Sequence, residues 1–255
     1  MSERDSYPAG VPCWVDNLVP DPQKSIAFYR ELFGWEFDGP GPGDYYVAKL
    51  RGRDVAGLAQ APPGVSPGWN TYVSVTSADD TARAAGRVVL EPFDVLPAGR
   101  VAALADPAGA VIGVWQPGER LGCQLVNEAS AYAMSALHTP DPDAAARYYR
   151  DIFGWDIEEF APGASLFRLP GYVGGEPAQP VPRDVVAVLA RDEGPARWSV
   201  DFWVEDADAA AARAPELGGS VVVAPFDSVP KRQAVLADPD GAVFSVSTAA
   251  GKFGS

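Results

Sequence analysis

The chain has 255 residues and a formal net charge of −14, and hydrophobic residues make up 47% of it. This composition indicates a folded globular protein of one large or two ordinary domains. The acidic charge argues against nucleic acid or an anionic membrane surface as a partner. The sequence contains no apolar run long enough to cross a bilayer and no apolar signal-peptide core, so we expect a cytoplasmic protein.

One stretch of the sequence, Asp21 to Trp35, recurs 120 residues later as Asp141 to Trp155. Both copies begin with Asp-Pro and continue through Tyr-Arg to Phe-Gly-Trp. Further along, ADPAGAVIGV (105–114) matches ADPDGAVFSV (237–246). A period this long indicates a duplicated domain rather than a solenoid. We predict an N-terminal arm, a first domain, a linker and a second domain, over residues 1–10, 11–118, 119–130 and 131–250.

The first half reads as one strand, one helix and three strands, in that order and twice. Cys13–Val19 is the first strand, Asp21 is a suitable helix N-cap before Pro22, and Gly34 ends the helix. The next three strands are predicted at 35–37, 45–50 and 55–60. The second unit follows with a strand at 71–76, a helix at 80–85 and strands near 88–92, 100–104 and 110–115.

The second half repeats this order. Its first unit is predicted as a strand at 132–138, a helix at 142–153 and strands near 155–160, 165–169 and 184–190. Its second unit is predicted as a strand at 199–204, a helix at 206–215 and strands at 219–224, 232–237 and 242–248. The glycine-containing loop 172–184 is either a lid or a surface insertion. The sequence leaves open whether the four βαβββ units pair within or across the halves.

These features resemble the vicinal oxygen chelate superfamily, which includes glyoxalase I, bleomycin-resistance proteins, fosfomycin-modifying enzymes and extradiol dioxygenases. The resemblance rests on the four βαβββ units, on FYRELFGW (28–35) and its second copy, and on the DPAG and DPDG turns. The stretches PCWVD, GRVAALADPAGA and LVNE are similar to two-domain bacterial proteins termed glyoxalase-like or hydroxylase. The resemblance implies an α+β fold of two tandem glyoxalase-like domains with curved, mostly antiparallel sheets.

The resemblance also implies where a metal site would lie, because related enzymes place His, Gln or Glu ligands on the first and last strands of their units. The corresponding residues here are Trp14, Asn70, Gly113, Met134, Ser199 and Ser245. These side chains are poor ligands for a hard divalent ion. His138 is the only histidine, which excludes any site with two histidines. We therefore expect no metal and no cofactor.

Alternation along the strands predicts which side chains share a face with these positions. The predicted ligand-binding residues are Trp14, Asn70, Tyr72, Met134, Ser199, Trp203 and Ser245. His138 and Asp201 form a candidate acid–base pair, because a carboxylate can orient a histidine that titrates near neutral pH. Asp16 is a further candidate carboxylate. The alternative is that some of these side chains only fill the protein core.

Three functions remain open. The first is a binding protein that holds a small hydrophobic or aromatic molecule without a metal, as resemblance to the resistance proteins implies. The second is a metal-independent enzyme of secondary metabolism, which would cyclise, hydrolyse or isomerise a polyketide-like substrate with His138, Asp201 and Asp16. The third is a structural partner protein with filled cavities. We predict one functional cavity, in the second half, and a monomer or homodimer.

Overall fold

The computed structural model describes residues 3–174, 182–228 and 231–248, in which sixteen strands and four helices form two eight-stranded sheets. The first half contains β1 (Pro12–Val19), α1 (Pro22–Phe33), β2 (Glu36–Gly41), β3 (Tyr45–Leu50), β4 (Arg53–Gln60), β5 (Gly68–Ser74), α2 (Ala78–Ala85), β6 (Val88–Val95), β7 (Gly99–Ala105) and β8 (Val111–Pro117). The predicted α+β class is confirmed, and residues 175–181 of the loop 172–184 lie outside the described chain.

The second half repeats this order element by element. It contains β9 (Tyr132–Thr139), α3 (Pro142–Phe153), β10 (Asp156–Ala161), β11 (Ala164–Arg168), β12 (Val185–Arg191), β13 (Arg197–Val204), α4 (Ala207–Glu216), β14 (Ser220–Ser228), β15 (Lys231–Ala237) and β16 (Val243–Thr248). No helix in the described ranges is both long and apolar enough to cross a membrane.

Each half contributes one sheet. The strand orders are β2-β3-β4-β1-β5-β8-β7-β6 and β10-β11-β12-β9-β13-β16-β15-β14. Within the first sheet β1 pairs with β4 and β5 with β8 in parallel, and the other pairs are antiparallel. The antiparallel pair β1–β5 joins the two units of one half into one sheet. The units therefore pair within the halves, which answers the question that the sequence left open.

The helix ends follow from capping residues. The Asp21 carboxylate accepts a hydrogen bond from the Gln23 amide, and Gly34 adopts φ 71° while its amide donates to the Arg30 carbonyl. In the second copy, Asp141 caps the start of α3 and Gly154, with φ 73°, follows its end. Left-handed backbone of this kind favours glycine, so both predicted helices have their expected bounds.

The edge strands β2, β6 and β14 are longer than predicted. β6 continues past Pro92 to Val95, although the sequence predicts its end near Pro92. Proline is tolerated there because β6 is an edge strand and pairs only with β7 among the described strands. The N-terminal arm is anchored to the linker, since the Tyr7 hydroxyl donates a hydrogen bond to the Cys123 carbonyl at 2.7 Å.

The hydrophobic core joins the two halves. Residues of α1 and residues of β13 and β16 belong to one buried cluster, in which the Tyr29 ring lies 5.6 Å from that of Phe244 and the Phe33 ring lies 5.2 Å from that of Phe202. Helices α2 and α3 belong to a second cluster that also contains residues of both halves. The helices therefore lie between the sheets, and each sheet turns its other face away from them.

The two DP-containing turns tie the halves together. The buried Asp238 carboxylate accepts hydrogen bonds from Ser25 at 3.0 Å and from the Tyr29 hydroxyl at 3.2 Å. In the reciprocal position the Tyr149 hydroxyl donates to Asp106 at 3.4 Å. Each turn aspartate thus satisfies the helix of the opposite half, in addition to its own turn.

Candidate functional site

The face of each sheet that is turned away from the helices carries the predicted site residues. In β1, Val15 and Asn17 point towards the helices, because Asn17 hydrogen-bonds Tyr29, and therefore Trp14 and Asp16 lie on the opposite face. We call this face of the first sheet the first face. The second face is its equivalent on the second sheet and carries Met134, Ser199, Asp201 and Trp203.

The first face is organised around Asp16, which is buried. Its Oδ1 accepts a hydrogen bond from Asn70 at 2.9 Å, and its Oδ2 accepts from the hydroxyls of Tyr72 at 3.0 Å and Tyr45 at 3.2 Å. Trp14 donates to the Tyr45 oxygen at 2.8 Å. Burial raises the pKa of the Asp16 carboxyl, and the three donors oppose that rise. This network contains three of the predicted ligand-binding residues together with Asp16.

Two tyrosine rings occupy the middle of the first face. A Cβ atom at Gly57 would lie 1.8 Å from the Tyr45 hydroxyl oxygen, and one at Gly113 would lie 2.2 Å from the Tyr72 ring. The glycines are therefore required by the close approach of the rings. The first face is thus filled by its own side chains, as the third functional hypothesis anticipates for a cavity without a ligand.

The second face carries different side chains at the equivalent positions. Strand register aligns the two sheets, because Asp16 is paired with Asn70 in the first and Ala136 with Ser199 in the second. On this alignment Met134, Ala136, Ala164, Asp201, Ser245 and Ser247 replace Trp14, Asp16, Tyr45, Tyr72, Gly113 and Trp115. The second face therefore lacks the rings of Trp14, Tyr45, Tyr72 and Trp115, although Trp203 takes the position of Ser74.

Asp201 is the charged centre of the second face and is only 8% exposed. Its Oδ2 accepts a hydrogen bond from the Ser247 hydroxyl at 2.5 Å and lies 3.6 Å from the Lys231 ammonium. Burial raises the pKa of the Asp201 carboxyl, while Lys231, Ser247 and Gln233 oppose that rise. Although Gln233 lies close enough to affect this pKa, Asp201 Oδ1 has no hydrogen-bond partner of normal geometry among the described residues.

Lys231 lies on the second face beside Asp201, although the sequence did not predict it as a candidate residue. Its ammonium lies 5.2 Å from the centroid of the Trp203 ring, which is within the range of a cation–π interaction. The Trp203 Nε1 atom is buried and lacks a hydrogen-bond partner in the described chain. Register could not have revealed this contact, because Lys231 approaches the face from the β14–β15 hairpin, two strands away from Asp201.

His138 and Asp201 do not form a pair. His138 is opposite Arg197 in the β9–β13 register, whereas Asp201 is opposite Met134, four positions along the strand. This offset corresponds to about 13 Å. The His138 Nε2 atom is 2.9 Å from the Ser199 hydroxyl, and Nδ1 is 3.8 Å from Asp192. Burial lowers the pKa of His138, with nearby Arg197 acting in the same direction and Asp192 opposing it.

The side chains on the two faces do not suit a divalent metal. No group of three or more His, Cys, Asp or Glu residues within the described ranges could hold such an ion. Asp16 already accepts three hydrogen bonds from neutral groups, and Asp201 already faces an ammonium. A hard cation needs several free oxygen ligands, and neither face supplies them.

A groove of about 760 Å³ lies beside the first face, between the N-terminal arm and the linker. Its walls carry charges of both signs, including Arg53, Asp54 and Glu119. Arg120 forms one side, with its guanidinium carbon 5.3 Å from the centroid of the Trp14 ring. The mixed charges show no preference for one ligand class, so we place the candidate site on the second face rather than in this groove.

Comparison with known proteins defines the class of the chain. Residues 134–247 match the family of glyoxalase-like domains. The chain belongs to this family, within the vicinal oxygen chelate superfamily. A relative described as "Putative glyoxylase CFP32", from Mycobacterium tuberculosis, is 38% identical over 96% of this chain and 97% of its own length. The anthracycline biosynthesis protein DnrV of Streptomyces peucetius is 33% identical over 94% of both chains.

Solved structures support the same fold. The Mn(II)-bound glyoxalase from Novosphingobium aromaticivorans aligns with a TM-score of 0.65 at 17% identity, covering 95% of this chain and 83% of its own. The 2,3-dioxygenase LapB from Pseudomonas sp. KL28 aligns with a TM-score of 0.67 at 12% identity, covering 95% and 93%. At these identities the likeness concerns the fold alone.

Proposed function

We propose that the protein binds a small hydrophobic or aromatic molecule on its second face without a metal ion. The observation that carries this proposal is the replacement of the rings of Trp14, Tyr45 and Tyr72 by Met134, Ala164 and Asp201. Hydrophobic and aromatic side chains with a few polar groups are the usual lining of a small-molecule site, and Met134, Trp203 and Asp201 are of these kinds.

The relatives suggest the kind of molecule. DnrV and the Streptomyces sp. protein DauV, both named for anthracycline biosynthesis, are 33% identical to this chain over 94% of its length. A planar, fused-ring aromatic compound fits a sheet face with a tryptophan at one end, because flat rings pack against flat aromatic surfaces. Metal independence belongs to the same proposal, and its support is the shortage of free oxygen ligands on either face.

A second candidate function is a metal-independent enzyme that cyclises, hydrolyses or isomerises such a compound. The observation in its favour is Asp201, because a buried carboxyl whose pKa is raised by burial and that lies beside Lys231 is a candidate general acid or base. Asp16 is less suited, since both of its oxygens already accept hydrogen bonds. Product formation from hydroxylated polyketide ketones, measured by mass spectrometry and lost in Asp201→Asn, would support this function over simple binding.

The binding proposal is tested by titrating the purified protein with daunorubicin, a fluorescent anthracycline. Val235→Trp places a large ring opposite Ser245 on the second face, and its matched control Ala103→Trp does the same opposite Gly113 on the first face. We expect saturable binding to the wild type and to Ala103→Trp, and a loss of at least about 30-fold in affinity in Val235→Trp.

Three outcomes would overturn the proposal: no binding to the wild type, equal loss in both variants, or binding that requires added divalent metal and disappears with a chelator. Circular dichroism spectra of both variants control for misfolding.

A further inference from the structure

Two polar atoms on the second face are buried without a hydrogen-bond partner in the described chain: the acceptor Asp201 Oδ1 and the donor Trp203 Nε1. We call them the open polar atoms. A buried donor or acceptor normally has a partner, because an unsatisfied one costs the full penalty of its desolvation. Two such atoms, one of each kind and two residues apart on one strand face, are therefore a specific feature of this site.

The first face shows no such feature. Its buried carboxylate, Asp16, accepts three hydrogen bonds, and its tryptophans Trp14 and Trp115 donate to the Tyr45 oxygen and to the Arg120 carbonyl. Two other buried polar atoms of the described chain also lack a partner, Asn17 Oδ1 and the Tyr148 hydroxyl, and both lie on the helix side of the sheets. Of the two sheet faces turned away from the helices, only the second carries such atoms in the described ranges, and there an acceptor and a donor lie on one strand. This pairing is the observation that links them to a ligand.

We propose that the second face recognises a ligand that carries a hydroxyl group and a carbonyl group on the same edge of an aromatic ring system. The hydroxyl donates to Asp201 Oδ1, and the carbonyl oxygen accepts from Trp203 Nε1. The ligand class is a hydroxylated aryl ketone or quinone. This inference rests on the proposed binding function and narrows it to a chemical class.

Lys231 controls access to the open polar atoms. Its ammonium lies over the Trp203 ring and beside the Asp201 carboxylate, and 18% of its side chain is exposed. Because the lysine stem is flexible, the ammonium can turn towards solvent while a ligand ring takes its position on Trp203. The ligand then satisfies both atoms, which no contact of Lys231 does.

The test compares three probes of nearly equal shape: anthraquinone, 2-methoxyanthraquinone and 2-hydroxyanthraquinone. The methoxy compound keeps the size of the hydroxyl compound but cannot donate a hydrogen bond. Dissociation constants are measured by quenching of tryptophan fluorescence in mildly acidic buffer, so that the hydroxyl keeps its proton. We expect the wild type to bind the hydroxyl compound about 10-fold more tightly than the methoxy compound, because the acceptor is a carboxylate.

Two variants separate the two hydrogen bonds. Trp203→Phe removes the donor but keeps an aromatic ring. We expect this variant to bind all three quinones about 5-fold more weakly, while the ratio of the affinities for the hydroxyl and methoxy compounds stays unchanged. Asp201→Asn weakens the acceptor, and we expect this ratio to fall to about 3-fold or less. The matched control is Trp115→Phe on the first face, which removes an N–H that already has a protein acceptor and should leave all three constants unchanged.

The outcomes distinguish this inference from the binding function on which it rests. If the wild type binds the three quinones equally and Trp203→Phe binds like the wild type, the hydrogen-bonding inference is wrong and the binding function stands. If no quinone and no anthracycline binds, both are wrong. If Trp115→Phe weakens binding as much as Trp203→Phe, the ligand lies elsewhere and the inference is again wrong.

Discussion

The first and second faces share one backbone plan but differ in what occupies their centres. On the first, Tyr45 and Tyr72 converge on Asp16 and satisfy it. On the second, Asp201 takes the place of a tyrosine and keeps one oxygen without a partner in the described chain. Tyr45 and Tyr72 fill the centre of the first face, whereas Ala164 and Asp201 at the same positions leave the second face without these rings.

The difference also concerns charge. Asp16 is surrounded by neutral donors, whereas Asp201 faces the Lys231 ammonium. A carboxylate satisfied by neutral groups is a fixed part of the packing. A carboxylate opposite a mobile cation can exchange that partner for another one. The two halves thus differ in how their buried carboxylates are paired, and the binding proposal depends on this difference.

The largest expected effect concerns the two carboxylates. Asp16→Ala leaves three donors without an acceptor and should lower the free energy of unfolding by about 3 kcal/mol. Asp201→Ala removes a carboxylate that is already incompletely paired, and its cost should be about 1 kcal/mol. Urea denaturation of both variants measures the difference. Equal costs would show that the second face is as tightly packed as the first.

A second prediction exchanges Gly113, which lies beneath the Tyr72 ring, and Ser245, its equivalent in the second sheet. Gly113→Ser introduces a Cβ atom 2.2 Å from the Tyr72 ring and should cost about 2 kcal/mol through overpacking. The reverse change on the second face, Ser245→Gly, meets no ring at the Tyr72 position and should cost about 1 kcal/mol or less. Thermal unfolding would contradict the comparison if Ser245→Gly were the more damaging change.

A third prediction concerns pH. Burial raises the pKa of both Asp16 and Asp201 above the ordinary value of 3.8. The folded protein therefore binds these protons more tightly than the unfolded chain, and the stability from each group falls as pH rises from 3.8 through the raised pKa. In Asp16→Asn and Asp201→Asn this fall should disappear. Unfolding free energies measured across this range would refute the prediction if wild type and variants followed parallel curves.

The smallest expected effect is at His138. Its pKa is lowered, so it is neutral near pH 7, and it lies four positions from the level of Asp201. His138→Gln should change the free energy of unfolding by less than about 0.5 kcal/mol and ligand affinity by less than about 2-fold. A loss of binding or turnover comparable to that of Asp201→Asn would restore His138 as a functional residue.

Local sequence features predicted much of the fold. The Asp-Pro caps and the glycines after Phe33 and Phe153 fix both long helices, and alternation from Trp14 placed Asp16 on the same face of β1. These inferences succeeded because each depends on a few neighbouring residues. The edge strand β6 was predicted too short, because a proline was taken as its end and edge position cannot be seen in sequence.

The candidate site was less predictable because it depends on how strands align. Alternation correctly placed His138 and Asp201 on one face of the sheet. It does not give their positions along the strands, and the antiparallel register separates them by four residues. Lys231 reaches Asp201 from a hairpin that lies two strands away in the sheet. Tyr45 reaches Asp16 from β3, which is not a neighbour of β1. The contrast between Tyr72 and Asp201 was visible in the sequence, but its meaning required the ring of Tyr72 to lie over Gly113.

Asp106 and Asp238, in the DP-containing turns, each accept hydrogen bonds from a helix of the opposite half. Helix α1 donates to Asp238 in the opposite half, and helix α3 donates to Asp106 in return. This reciprocity is the contact pattern of an isologous dimer. The molecule is therefore organised as two subunits joined by a tether, and a gene cut within residues 119–130 should yield fragments that recover the native structure only when they are produced together.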